Sequence, residues 1–304
     1  MQGAFEPLQL FPVLIIAALY AVRARSLALQ GRPVPLRRQL SFASGMLLIL
    51  VALVSPLAAL DDELVWVHMA QHLVLGDLAA LLMVLGLTGP LLQPLLAPRG
   101  LGWLRVLGHP AVALPLWLAD LYLWHVPALY QAALSSQAVH ALEHACFVGF
   151  GIAMWMALLG PLPKPDWFGN GARLLYVVVV RFGGAVLANV LLWAGSPLYP
   201  DYAAGEAAHG ISPLADQGAA GVVMMIEQSL VTLGLFAWLF FRAAQQSDER
   251  QALLDLAAER GVTLDEARAA RAVAAGQGER LRERIADSEQ EAGRRRDKVG
   301  TAGD

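Results

Sequence analysis

The sequence predicts an all-α, polytopic membrane protein: a bundle of seven transmembrane helices, N-terminus outside and C-terminus cytoplasmic. Three observations point there: composition, the count of long apolar stretches, and the placement of lysine and arginine. Hydrophobic residues make up 57% of the chain and charged ones only 15%, too apolar for an ordinary soluble domain. The charge is also unevenly spread. Asp248 to Asp304 is dense in Asp, Glu and Arg, while the preceding residues are sparsely charged. The chain therefore reads as a seven-helix transmembrane domain, residues 1–242, followed by a charged cytoplasmic tail, residues 243–304, partly helical or disordered. The net charge of −3 averages two unlike regions and implies no nucleic-acid partner. A single cysteine, Cys146, excludes an intrachain disulfide and any Cys-rich zinc site.

Crossing the hydrocarbon core takes roughly 20 apolar residues as helix. The candidates are Leu8 to Val22, Phe42 to Leu60, Leu64 to Leu87, Val106 to Trp124, Val139 to Gly160, Leu174 to Trp193 and Gly218 to Phe241. The first is not a cleavable signal by pattern, because its only early charge is Glu6 and the basic residues follow the apolar run. Short loops rich in Lys and Arg stay cytoplasmic. Arg23, Arg25, Arg32, Arg37 and Arg38 fill the first loop, Arg99 and Arg105 the third, Lys164 and Arg173 the fifth, and Arg242 follows the last span. The alternate loops hold Asp61, Asp62 and Glu63, then no charge from His125 to Gln137, then Asp201, Glu206 and Asp216.

That topology gathers histidines. His68 and His72 sit at the outer end of the third span, His125 at the outer end of the fourth, His140 and His144 at the outer start of the fifth, and His209 in the last outer loop. His109, beside Pro110 at the other end of the fourth span, caps or packs there. Positions i and i+4 of a helix lie about 40° apart on one face and about 6 Å apart along the axis, so each pair aims two imidazoles the same way. The spacing suits a metal or haem site on His68, His72, His125, His140 and His144, with Asp216 as a nearby carboxylate. Set against a merely structural polar cluster, it gains weight because ionisable groups in membranes are costly and mark function. Neutral imidazole suits copper, zinc and iron alike. Met224 could bias the choice toward Cu(I), although methionine in an apolar helix commonly fills core. Gln217, Met224 and Asn189 are candidates for a supporting shell. Asp77, Arg181 and Glu227 fall near mid-membrane and need one another; Asp77 lies roughly 140° or more around its helix from the two histidines, which assigns it to an ion pair with Arg181, Glu227 being the rival.

His68-Met69-Ala70-Gln71-His72, the run His125-Val126-Pro127-Ala128-Leu129-Tyr130, His140-Ala141-Leu142-Glu143-His144, and Asp216-Gln217 followed by Gly221 together resemble the CtaG-type cytochrome c oxidase assembly factors of the Bacillus kind. The resemblance covers roughly residues 51–242 and leaves the tail outside. It implies a non-enzymatic role in the bacterial cell (inner) membrane in producing active haem-copper oxidase, with copper handling at the outer face. The implied partners are oxidase subunits or another copper carrier, within membrane lipid. The residues alone leave open a b-haem electron-transfer protein, with one histidine of each pair on the iron, or a copper or proton transporter lined by Asp77, Arg181 and Glu227.

Overall fold

The computed structural model describes residues 7–55, 57–96, 102, 104–274 and 276–287. Glu6, Arg99 and the tail from residue 288 lie outside the described residues. No strand occurs among the described residues, and the principal helices are α1 Pro7–Leu29, α2 Leu36–Val54, α3 Val65–Gly86, α4 Pro110–Trp124, α5 Pro127–Ser135, α6 Gln137–Leu159, α7 Asn170–Trp193, α8 Ala203–His209, α9 Pro213–Glu259 and α10 Glu266–Ala274. Six are long and apolar enough to cross a membrane, or seven if the bent pair α4 and α5 is one span.

The fourth span is the one that departs from the expected straight rod. Its helix begins only at Pro110, with the His109 ring accepting a hydrogen bond from the Ala111 amide, and has 15 residues. At 1.5 Å per residue that is about 22 Å, short of a bilayer core. The chain then turns by 72° into α5. Pro127 causes the break: it disfavours helical geometry at Val126, which is extended (φ −63°, ψ 126°), and starts the next helix at its first position. His125 is left at the elbow, buried.

Contacts divide the chain into two units, Met1–Leu230 and Val231–Asp304. In the first, α3 packs against α2 and α6, and α6 also against α4 and α5. The approach of α3 to α6 depends on Gly76 and Gly151, since a Cβ on Gly151 would overlap the Gly76 carbonyl. Gly76 belongs to a π-helical turn, Val74–Ala79, in the middle of α3; such turns widen the helix by one residue. At the C-terminal end of α3 the basic residues collect. Arg38 donates to the carbonyls of Leu85 (3.1 Å) and Leu87 (2.7 Å), Arg23 to that of Pro90 (3.0 Å), and Tyr20 to that of Gly86 (3.2 Å). The Leu85, Gly86 and Leu87 carbonyls are ones that the end of α3 leaves unpaired. The histidines are at the other end of the same helix. Outward-facing Leu14, Leu19, Leu47, Phe182, Val190 and Ile226 are exposed, a belt of apolar surface that lipid covers. In the second unit, Leu253, Ala257, Val273, Leu281 and Ile285 form a small apolar cluster of their own, and Arg250 pairs with Glu266 at 3.4 Å.

Candidate metal site

The N-terminal half of α3, the elbow after α4 and the N-terminal turns of α6 bring five histidines together, all at most 7% exposed. His68 and His72 rings lie 4.2 Å apart, His140 and His144 4.3 Å, His68 and His140 5.4 Å, His72 and His144 5.4 Å, and His72 and His125 6.5 Å. The convergence is tightest on a quartet. His68, His72, His140 and Glu143 each offer one ligand atom, and these atoms all lie within 4.8 Å of one another. Glu143 is fully buried, with Oε2 3.8 Å from Nε2 of both His68 and His72.

Nε2 of His68, both ring nitrogens of His72, both Glu143 oxygens and Nε2 of His144 are buried without a hydrogen-bond partner among the described residues. Each such atom costs about 1–3 kcal/mol if left so. Several share one spot, where a single bound cation would satisfy them together. Three imidazoles and a carboxylate within tetrahedral reach suit divalent zinc, copper or iron.

The remaining histidines are held from outside the quartet. His144 Nδ1 donates to Gln9 Oε1 at 2.7 Å, fixing that ring from α1. His125 Nδ1 donates to the Leu121 carbonyl at 2.6 Å, and its Nε2 faces the Met69 sulfur at 3.2 Å. Three buried tyrosines cover the rings: Tyr130 stacks on Tyr199 at 3.9 Å and meets Tyr202 hydroxyl to hydroxyl at 3.2 Å, while Tyr199 donates to the His125 carbonyl at 3.0 Å. His68 is 4.9 Å from Tyr130 ring to ring.

Asp216 is placed elsewhere than at the rings. Its two oxygens accept from the Val65 amide (2.8 Å) and the Trp66 amide (3.1 Å), the first two amides of α3. It thus caps, from α9, the helix that carries His68 and His72. Burial, with the Asp216 charge second, pushes the Glu206 carboxyl above its ordinary range. Gln217 accepts from the Leu198 amide at 2.7 Å and donates to the Leu191 carbonyl at 3.1 Å, tying the loop after α7 to α9. Asn189 is exposed, bonded to the Ala185 carbonyl and to Trp193. His209, also exposed, pairs with Glu63 at 2.7 Å.

Below the rings, Arg181 pairs with Asp77 through two contacts of 2.7 and 3.4 Å, and Glu227 stands 3.8 Å from the same guanidinium. Trp155 completes this group, its ring 5.5 Å from the guanidinium and its N–H on the Asp77 carbonyl at 3.0 Å. A cavity of about 40 Å³ joins the two levels, lined by Met69, His72, His125 and Met224 above and by Asp77, Arg181 and Glu227 below.

The carboxylate that sequence reasoning missed is Glu143. It stands three residues after His140, hence on the same helix face, and that spacing was the available signal. Tyr199 and Tyr202 carried no such signal, since their approach depends on a loop.

A family model described as Cytochrome c oxidase caa3 assembly factor (Caa3_CtaG) matches residues 18–246, well over half of the chain and wider than the stretch of motif resemblance. Searches of curated proteins and of solved structures found no match. The matched region contains all five histidines, Glu143 and the Asp77–Arg181 pair. The chain belongs to the Caa3_CtaG family of cytochrome c oxidase caa3 assembly factors.

Proposed function

We propose that this multi-pass membrane assembly factor works by holding a metal ion, copper favoured, between His68, His72, His140 and Glu143, and by passing it to a subunit of the oxidase without catalysis of its own. The observation that carries the reading is the quartet: four donor atoms within 4.8 Å on two helices, most of them buried with no other partner. Copper is preferred over zinc because the client is a haem-copper oxidase, and the donor set accepts either. The site lies at the end of α3 remote from its arginine-capped end, which puts it at the outer face of the bacterial membrane if basic loops stay inside. The ligands come from different helices, and His125 and His144 stand beside the quartet as further donors, so an ion can change partners one bond at a time. A haem is disfavoured: rings 4.2 to 5.4 Å apart leave no slot for a porphyrin between them.

Metal analysis of detergent-purified protein tests this directly, alongside oxidase activity in cells lacking the chromosomal copy. His72→Ala and Glu143→Gln are expected to lose at least tenfold in metal retention and to fail in oxidase maturation while remaining in the membrane. His109→Ala is expected to behave as wild type. Unchanged metal content in both site variants would return the histidines to a structural polar cluster.

A further inference from the structure

We infer that a second metal site, for a soft monovalent cation of the Cu(I) class, lies beside the quartet where Met69 Sδ and His125 Nε2 meet. It stands on a separate observation and does not need the quartet to bind. The Leu121 carbonyl can only accept, so the 2.6 Å contact assigns a proton to His125 Nδ1. A neutral imidazole then has a bare lone pair at Nε2. That lone pair points at a thioether sulfur 3.2 Å away, which also has only lone pairs to offer. With the ring neutral, two acceptors face each other with no hydrogen between them, an arrangement that a shared cation resolves. Both residues are buried, Met69 at 1% and His125 at 7% exposed, so no bulk water relieves the contact.

The chemistry of the two sites differs. Thioether and imidazole select Cu(I), whereas the carboxylate of the quartet favours a divalent ion. Space exists, because the contact opens on the cavity of about 40 Å³, more than the roughly 10–15 Å³ that one water requires by this measure. Met224 and His72 line the same cavity and supply a second thioether and a second imidazole as further ligands. His72 also belongs to the quartet, so one imidazole borders both sites. Two adjacent sites of different softness let the protein hold copper in either oxidation state, with His72 available to either.

Purified Cys146→Ser protein, in which thioethers are the only sulfur, is titrated anaerobically with Cu(I) against a chromogenic Cu(I) chelator and separately with Zn(II). X-ray absorption on the Cu(I)-loaded sample reads sulfur directly and requires no further substitution. Sulfur in the copper shell is expected. Met69→Leu in this background should lower the sulfur count of the copper shell and weaken Cu(I) retention at least tenfold while Zn(II) uptake stays unchanged; Glu143→Gln should do the reverse. Absence of sulfur scattering in the Cys146→Ser protein identifies the contact as an N–H···S hydrogen bond of an imidazolium and overturns the second site, whatever the quartet binds. An unchanged sulfur count together with unchanged Cu(I) affinity in Met69→Leu overturns it equally. Loss of Zn(II) binding alone counts against the quartet and leaves the Met69 site supported.

Discussion

Asp216 separates two roles that one carboxylate near a histidine cluster can have. As a cap it contributes to the α3 N-terminus, and its removal leaves two amides without their acceptor. Asp216→Ala is expected to cost about 2 kcal/mol, the upper end for a lost cap, visible as a lower thermal unfolding midpoint in detergent. Metal stoichiometry should not change, since both oxygens are engaged by the Val65 and Trp66 amides; a drop in bound metal with unaltered stability would make it a ligand instead. The histidines themselves were legible from spacing, because i and i+4 residues share a face whatever surrounds the helix. Asp216 was legible only as a nearby acid. Its partner is an amide some 150 positions earlier, and no local pattern encodes which helix end a distant carboxylate will meet.

Among elements, the approach of α3 to α6 decides whether the quartet exists, for it takes His68 and His72 from one and His140 and Glu143 from the other. Gly151→Ala places a methyl against the Gly76 backbone, which cannot rotate away. The helices must separate, at about 1–3 kcal/mol for overpacking, and the donors part with them. Gly149→Ala is the matched control, with nothing within 4 Å of its added methyl; it should be neutral or gain about 0.5–1 kcal/mol of helix propensity. Equal metal retention and equal melting in the two variants would remove the close approach as the organising contact. Apolar runs sufficed to locate the long helices. They could not reveal the 72° elbow, although Pro127 stood in plain view, because proline ends one helix and begins the next with equal ease and only packing says how sharply.

For the molecule as a whole, two polar levels have to be sustained inside an apolar bundle. The lower one is the Asp77–Arg181 pair with Glu227 beside it. Arg181→Ala leaves two buried carboxylates without a cation and is expected to destabilise by roughly 3–5 kcal/mol. Arg181→Ala with Asp77→Ala should lose less, and urea or thermal unfolding of the two variants would show it; identical losses would move the pairing to Glu227. Orientation is tested by labelling a Cys146→Ser protein in intact cells with a membrane-impermeant thiol reagent. His209→Cys should react and Gln246→Cys should not, and the opposite pattern would invert the bundle.

The π turn at Val74–Ala79 lets one helix serve both levels. An α-helix advances about 100° per residue, so the surplus residue changes the phase of everything before it relative to everything after. His68 and His72 answer to one set of neighbours and Asp77 to another, and a regular helix of the same sequence could not satisfy both. A chain that wound Val74–Ala79 as regular α-helix without losing a residue would therefore keep its hydrophobicity, its span and every functional side chain, yet present its imidazoles to the wrong wall. In α3, the winding of the backbone is as much a part of the site as the identity of its residues.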